Sequence, residues 1–378
     1  MLSSARSRYG LVLAAAVSCY AALGAVLAAL PRYVHDDLGV GAVALGVAVG
    51  APALTAVLAR PVGGRLADRF GPRPLVLAGA GVMAVAGLPA PLSPTLGALV
   101  ASRLGVGAGE GAMMSATVLW LLRLAGPERR GRALGHIGLA NFAGLAVGPL
   151  IAAGLGGGGA VRTVLAVAVA LPLLGAAAAL GVPPPAPSRE PEDAAPSTRS
   201  LIRRTGRAGF GLLLVNVGYV SVLGFGAEVA RRHGTGLESL VVPVFAVVVI
   251  AARTLGAGLP DRLGGRRMVI VAAGAEAVGL VVYALAASPP LALGALLVLS
   301  AGQSLAVPGL GLLALAGVPA AEQGAAAGAF FAWFDAGVGA GGPLTGGVAQ
   351  LTSPPGALVF AGAAVAGAVV LSLRARSR

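Results

Sequence analysis

The sequence predicts an all-α integral membrane protein with twelve transmembrane helices, arranged as two parallel six-helix repeats. Three observations carry this. The 378 residues are 57% hydrophobic and only 11% charged, more apolar surface than a soluble domain can hide behind a charged exterior. The apolar residues fall in runs of about twenty, the length a helix needs to cross ~30 Å of hydrocarbon. One charged pattern also recurs. "ARPVGGRLADRFGPR" at 59–73 and "ARTLGAGLPDRLGGR" at 252–266 agree at eight of fifteen positions, at an offset of 193 that also lays "GAGE" (107–110) on "SAGQ" (300–303).

Taken in order, the runs place spans near 10–31, 40–60, 74–92, 95–123, 131–155 and 160–182, then 208–230, 236–256, 267–287, 290–317, 322–350 and 355–373. In lipid the backbone must satisfy its own hydrogen bonds, and runs this long do so as helices. The first run follows Arg6 and Arg8 and is too long for a signal-peptide core, so it reads as a retained span. The break "PPPAPSREPEDAAPSTRSLIRRTGR" at 183–207 is rich in Pro, Ser and charge and resists packing. It divides the chain into an N-terminal bundle (1–182), a cytoplasmic linker (183–207) and a C-terminal bundle (208–378). Six is even, so both copies enter the membrane from the same side and are related by an axis along its normal.

The net charge of +13 comes entirely with arginine; there is no lysine. The basic residues lie between the apolar runs, so the excess reads as topology and not as a nucleic-acid footprint. With both termini inside, inner segments carry 22 arginines and outer ones four (Arg32, Arg162, Arg231, Arg232). The expected location is a bacterial cytoplasmic membrane, as the Ala, Gly, Pro and Arg bias suggests a GC-rich bacterial genome. Cys19 stands alone, which leaves no intramolecular disulfide or cysteine metal cluster. His35, His136 and His233 are far apart, and no nucleotide loop or nucleophile motif occurs, so neither an enzyme nor a metal site is expected.

Charge at mid-membrane costs ~2.5–3.5 kcal/mol on insertion scales, so each buried charge needs a reason. Arg103 and Glu110 lie seven apart in the fourth span and share a helical face with Gly107. Glu110 is the leading candidate for a protonatable carboxylate; the alternative is a static ion pair. Asp335 follows Phe330, Phe331, Trp333 and Phe334, four of the chain's sixteen aromatics. That stretch reads either as a ring-lined wall for an amphipathic or cationic ligand or as helix packing with one structural acid. Glu276, in the ninth span, reads as structural or interfacial. In the fifth span Gly144, Gly148 and Pro149 combine close packing with a missing backbone donor, the makings of a kink.

These motifs resemble those of the major facilitator superfamily, over essentially the whole chain. Gly64, Asp68, Arg69, Gly71 and Arg73 match that family's signature between the second and third spans. The second copy keeps Asp261, Arg262, Gly264 and Arg266 but has Ala257 at the first glycine. The resemblance implies a cytoplasmic gate, with Gly64 allowing close helix approach and Asp68 at a helix N-terminus. Arg103 with Gly107 and Gly109 resembles a fourth-span motif tied to proton coupling. The Gly144–Pro149 stretch resembles a motif of proton antiporters, although Ala152 and Ala153 replace its last glycine pair. "GEG" with Trp120, and "WFDAG" in the eleventh span, favour the twelve-span drug:proton antiporter and small putative sugar-exporter branch.

By that family's architecture, spans 1, 4, 7 and 10 would line the transport cavity. They offer Ser18, Tyr20, Glu110, Asn216, Tyr219, Ser221, Gln303 and Ser304, a sparse and mostly neutral set, with Trp333 and Phe334 as further wall candidates. The resemblance therefore implies a monomeric exporter of hydrophobic or amphipathic small molecules, coupled to protons, embedded in lipid and needing no cofactor beyond the proton gradient. The alternative is a facilitator or carrier of a sugar or organic acid without that coupling.

Overall fold

The computed structural model describes residues 5–92, 95–126, 130–155, 161–183, 198–256, 258–318 and 323–374. The first six long helices are α1 (Ala5–Arg32), α2 (Ala42–Phe70), α3 (Pro72–Gly87), α4 (Leu96–Ala125), α5 (Arg130–Gly154) and α6 (Val161–Leu180). The second six are α7 (Thr198–Arg232), α8 (Val241–Leu255), α9 (Leu259–Leu285), α10 (Pro289–Leu315), α11 (Gln323–Leu351) and α12 (Pro354–Leu373). Nine of these contain stretches long and apolar enough to cross a membrane unaided, among the described residues. The other three are α4, which carries Arg103 and Glu110, the glycine-rich α11, and α8, apolar but only 15 residues long.

Several helix ends differ from the sequence expectation. The second span was expected to end at 60 and the third to start at 74, with the charged signature as a loop between them. Instead α2 stays helical to Phe70 and α3 begins at Pro72, so the connection is Gly71 alone, at φ 87°. The physical reason is that only Gly71 needs a left-handed backbone, while the preceding Arg, Leu, Ala and Asp are compatible with a helix whose polar end leaves the bilayer. The same device recurs 193 residues later, where Gly264 (φ 73°) interrupts α9. Helix α7 likewise begins at Thr198 rather than 208. Most of the proposed linker, 184–197, lies outside the described residues.

The chain divides into two compact units: Met1–Val40 with Ala51–Arg189, and Gly41–Gly50 with Glu190–Arg378. In the first, α1 packs on α5 and α6, and α3 packs on α4 and α6. In the second, the same pairings recur six helices on, α7 with α11 and α12, and α9 with α10 and α12. The correspondence reaches single residues. Gly109 of α4 nests against Gly79 and Met83 of α3, and Gly302 of α10 nests against Ala272 and Glu276 of α9. Tyr33 donates its hydroxyl to the Ala90 carbonyl, whereas in the second unit Tyr283 donates to the Gly226 carbonyl at 3.0 Å. The two tyrosines occupy opposite members of one position pair.

Glycine lets these helices approach to backbone contact. A Cβ on Gly107 would strike the Pro52 backbone, and one on Gly148 would strike Ala21, Gly24 and Ala25. In the second unit, Gly46 and Gly50, near the start of α2, lie against Gly339, Gly342 and Gly346 of α11. Such contact replaces the hydrophobic effect, which lipid does not supply, with dispersion and close packing.

Candidate functional site

Glu110 sits midway along α4, 5% exposed. Its carboxylate Oε1 accepts a hydrogen bond from the Tyr20 hydroxyl of α1 at 2.8 Å. The same oxygen pairs with Nη2 of Arg60 on α2 at 3.4 Å. Three helices thus converge on one carboxylate, brought there by glycine contacts on either side: Gly107 and Gly111 of α4 rest on α2, and Gly144 of α5 rests on Tyr20 of α1. Ser115 fixes the backbone at Arg60, donating to its carbonyl at 3.1 Å. The Arg60 side chain is about one-third exposed while that of Glu110 is enclosed, so the pair links a buried acid to a more open face. Chemically, the cluster offers one proton-binding group whose charged form is held by a neutral and a cationic donor.

Arg60 was not among the sequence candidates. It was counted with the arginines that orient the chain, and charge counting does not separate a topological arginine from a paired one. One signal was available: Arg253, 193 residues on, occupies the same place in the second copy. There its Nη2 donates to the Ser304 carbonyl at 3.2 Å, and Gln303 stands where Glu110 stands in the first copy.

Arg103 stands two turns from Glu110 in different surroundings. It is 3% exposed and lines a cavity between α1, α3, α4 and α6. In the second unit, Tyr219 packs against Phe245 at 5.6 Å and Phe334 at 5.8 Å between ring centroids. The Trp333 indole lies on Gly209 of α7. Asn216 is fully buried, its amide nitrogen bonded to the Leu212 carbonyl at 2.8 Å and its Oδ1 left without a hydrogen bond. Gln303 is 1% exposed, and neither atom of its amide has a hydrogen-bond partner among the described residues. Asp335 is buried on α11 and Glu276 on α9, both carboxylate oxygens of Glu276 lacking a hydrogen bond.

The signature residues take several roles. A Cβ on Gly64 would meet no atom within 4 Å, whereas its neighbour Gly63 lies against Ala112 of α4. Arg69 lies over the Phe70 ring at 5.1 Å, and Arg262 is exposed. Arg73 caps the end of α6, its Nη2 on the Leu180 carbonyl at 2.9 Å. Arg266 does the same for α12, on the Ser372 and Leu373 carbonyls at 3.0 and 2.7 Å. Both cations meet the negative end of a helix dipole. Asp68 and Asp261 belong to the helical stretches before Gly71 and Gly264, and their side chains lie outside the described residues. Gly144 and Gly148 pack on α1, and α5 continues through Pro149 to Gly154.

Comparison with known proteins agrees with this architecture. The family model described as Major Facilitator Superfamily matches residues 12–343. An uncharacterized MFS-type transporter of Burkholderia mallei (strain SAVP1) is 34% identical over 371 residues, covering 94% of this chain and 88% of its own. One from Pseudomonas aeruginosa (strain LESB58) is 32% identical over 369 residues, covering 95% and 91%. Among solved structures, the nucleoside transporter NupG superposes with a TM-score of 0.75 at 15% identity, covering 97% of each chain. A bacterial homolog of the human lysosomal transporter Spinster gives 0.77 at 14% identity, covering 99% and 96%. At these identities the structures speak to the fold alone.

Proposed function

As the chain belongs to the major facilitator superfamily and is a multi-pass membrane transporter of small molecules, we propose that it exports hydrophobic or amphipathic compounds by alternating access, in exchange for protons. The observation that supports this most is the Tyr20–Glu110–Arg60 cluster. A proton on Glu110 cancels the charge that holds Arg60, so proton binding and the Arg60 contact compete for one carboxylate. Arg60 lies on the same helix as the signature that ends at Gly71. Loading or unloading Glu110 thereby acts on the end of α2. Arg103 is tied to coupling in this reading by family resemblance, through its place on the same helix.

The substrate reading rests on the second unit. Tyr219, Phe245 and Phe334 form an aromatic group, and the Gln303 amide keeps its full hydrogen-bonding capacity. A buried amide without partners is a costly arrangement that a ligand or water would relieve. An apolar molecule bearing one hydrogen-bonding group fits both features. The arginine distribution supports cytoplasmic termini and a bacterial plasma membrane.

The test uses purified protein in liposomes, an imposed pH gradient and a lipophilic fluorescent cation as probe. Wild type should accumulate the dye against its gradient only while the pH gradient lasts. Glu110→Gln should retain dye equilibration and lose accumulation. Undiminished accumulation by Glu110→Gln removes Glu110 from coupling, and transport that ignores the pH gradient establishes a facilitator instead.

A further inference from the structure

Glu276 is a buried acid that the transport cycle leaves unused. It lies on α9, 1% exposed, and both its carboxylate oxygens lack a hydrogen-bond partner among the described residues. Three neighbouring helices enclose it. Gly302 of α10 lies against its backbone nitrogen and Cβ. Gly218 of α7 makes room for the carboxyl group: a Cβ there would come within 2.5 Å of Oε1 and 2.8 Å of Val365 on α12. The first repeat, 193 residues earlier, has Met83, Gly109 and Ala25 at the places of Glu276, Gly302 and Gly218. The second repeat thus puts a carboxyl where the first has a thioether, and drops a methyl group beside it.

Among the described residues no cation is placed to balance a carboxylate there. Helices α10 and α12 carry no titratable side chain along Pro289–Leu315 and Pro354–Leu373. On α9 the nearest charge is Arg267, on α7 the nearest are Arg207 and Glu228, and past the end of α12 it is Arg374. Each is at least nine residues, about 13 Å, along its helix from the point that meets Glu276. Two tyrosines lie closer, and both are engaged elsewhere. Tyr219 packs on Phe245 and Phe334, and Tyr283 donates to the Gly226 carbonyl. An ionised carboxylate without a cation or donors is among the costliest groups to bury, and such a group takes up a proton instead.

We propose that Glu276 is a proton-binding site that stays occupied in the folded protein, and that the packing of α7, α9, α10 and α12 depends on that proton. The site is independent of Glu110, whose carboxylate has a cation and a hydroxyl to hold its charged form. At neutral pH the folded chain binds one proton more at this position than the unfolded chain, in which the carboxyl is solvated and ionised. Stability is therefore greatest in acid and falls as pH rises. Loss of the proton leaves a lone charge at the centre of four helices.

Infrared spectroscopy and thermal unfolding of the full-length purified protein test this. Wild type is compared with Glu276→Gln, which has the shape of the neutral acid and cannot ionise. At about pH 7 the wild-type spectrum should contain a carboxylic-acid C=O stretch that is missing from Glu276→Gln. Between about pH 6 and about pH 8, the wild-type midpoint should fall relative to that of Glu276→Gln by about 2 °C or more per pH unit. Identical spectra in the carboxylic-acid region, or midpoints with the same pH dependence in both proteins, would each overturn the proposal. Glu276→Met, carrying the residue of the first repeat, takes the place of Glu276→Gln in both comparisons if the amide variant does not fold.

Discussion

Glu110 is held by two donors of unequal character, and each predicts its own phenotype. Tyr20→Phe removes a neutral hydrogen bond worth about 1 kcal/mol, so proton-driven accumulation should fall by roughly fivefold while the protein stays folded. Arg60→Gln removes a cation whose side chain is 34% exposed. Solvent screening keeps that pair near 1 kcal/mol, but the loss also uncouples α2 from the carboxylate. Accumulation should therefore collapse toward simple equilibration, with partial rescue by Arg60→Lys. Paired measurements of accumulation and dye exchange in the same vesicles check both; equal losses in accumulation and exchange would point to a damaged fold instead. At this scale the sequence exposed Glu110 and Arg103, because a charge in an apolar run stands out. It concealed Arg60, because an arginine at a helix end looks the same whether it orients the chain or grips an acid. The contacts of Arg73 and Arg266 with helix-end carbonyls were hidden for the same reason.

At the level of helices, stability should depend on which face a glycine occupies. Gly148 has no room for a methyl group beside the α1 backbone, whereas a Cβ on Gly81 of α3 meets nothing within 4 Å. Gly148→Ala should lower the thermal midpoint strongly, through an overpacking cost of about 1–3 kcal/mol. Gly81→Ala should leave it unchanged or slightly raised, since a helical alanine restricts the unfolded chain. Unfolding of the two variants in one detergent decides this, and equal midpoints would contradict the packing described for α1 and α5. The positions of the twelve helices were legible in hydropathy, because lipid forces every long apolar run into one conformation. Their ends were less legible. Helices α2 and α7 extend well past the apolar runs, and hydropathy has no means of marking a polar helical turn.

Across the whole molecule the two repeats keep one packing scheme and divide the chemistry. The first unit pairs Glu110 with Tyr20 and Arg60, while the second holds Gln303 and Glu276 without hydrogen-bond partners among the described residues. At the place of Glu276 the first unit carries Met83, equally enclosed against a glycine of the neighbouring helix. If Glu276 is structural, Glu276→Met should keep proton-driven transport and hold or raise the thermal midpoint, because it removes a polar group that has no partner. Loss of coupling with retained folding would make Glu276 a transport residue. The offset of 193 was visible in the motif 59–73, and it proved to index contacts that no motif covers, such as Gly109 with Met83 and Gly302 with Glu276.

The proposed transport cycle moves a proton through Glu110 each time a substrate crosses. Sealed vesicles containing a pH indicator allow proton and dye movements to be recorded together, for wild type and for Glu110→Gln. Wild type should show proton flow opposite to the dye and proportional to it, and Glu110→Gln should move dye with no accompanying proton signal. Proton flow of equal size in both proteins, or dye transport by wild type with none at all, would contradict it.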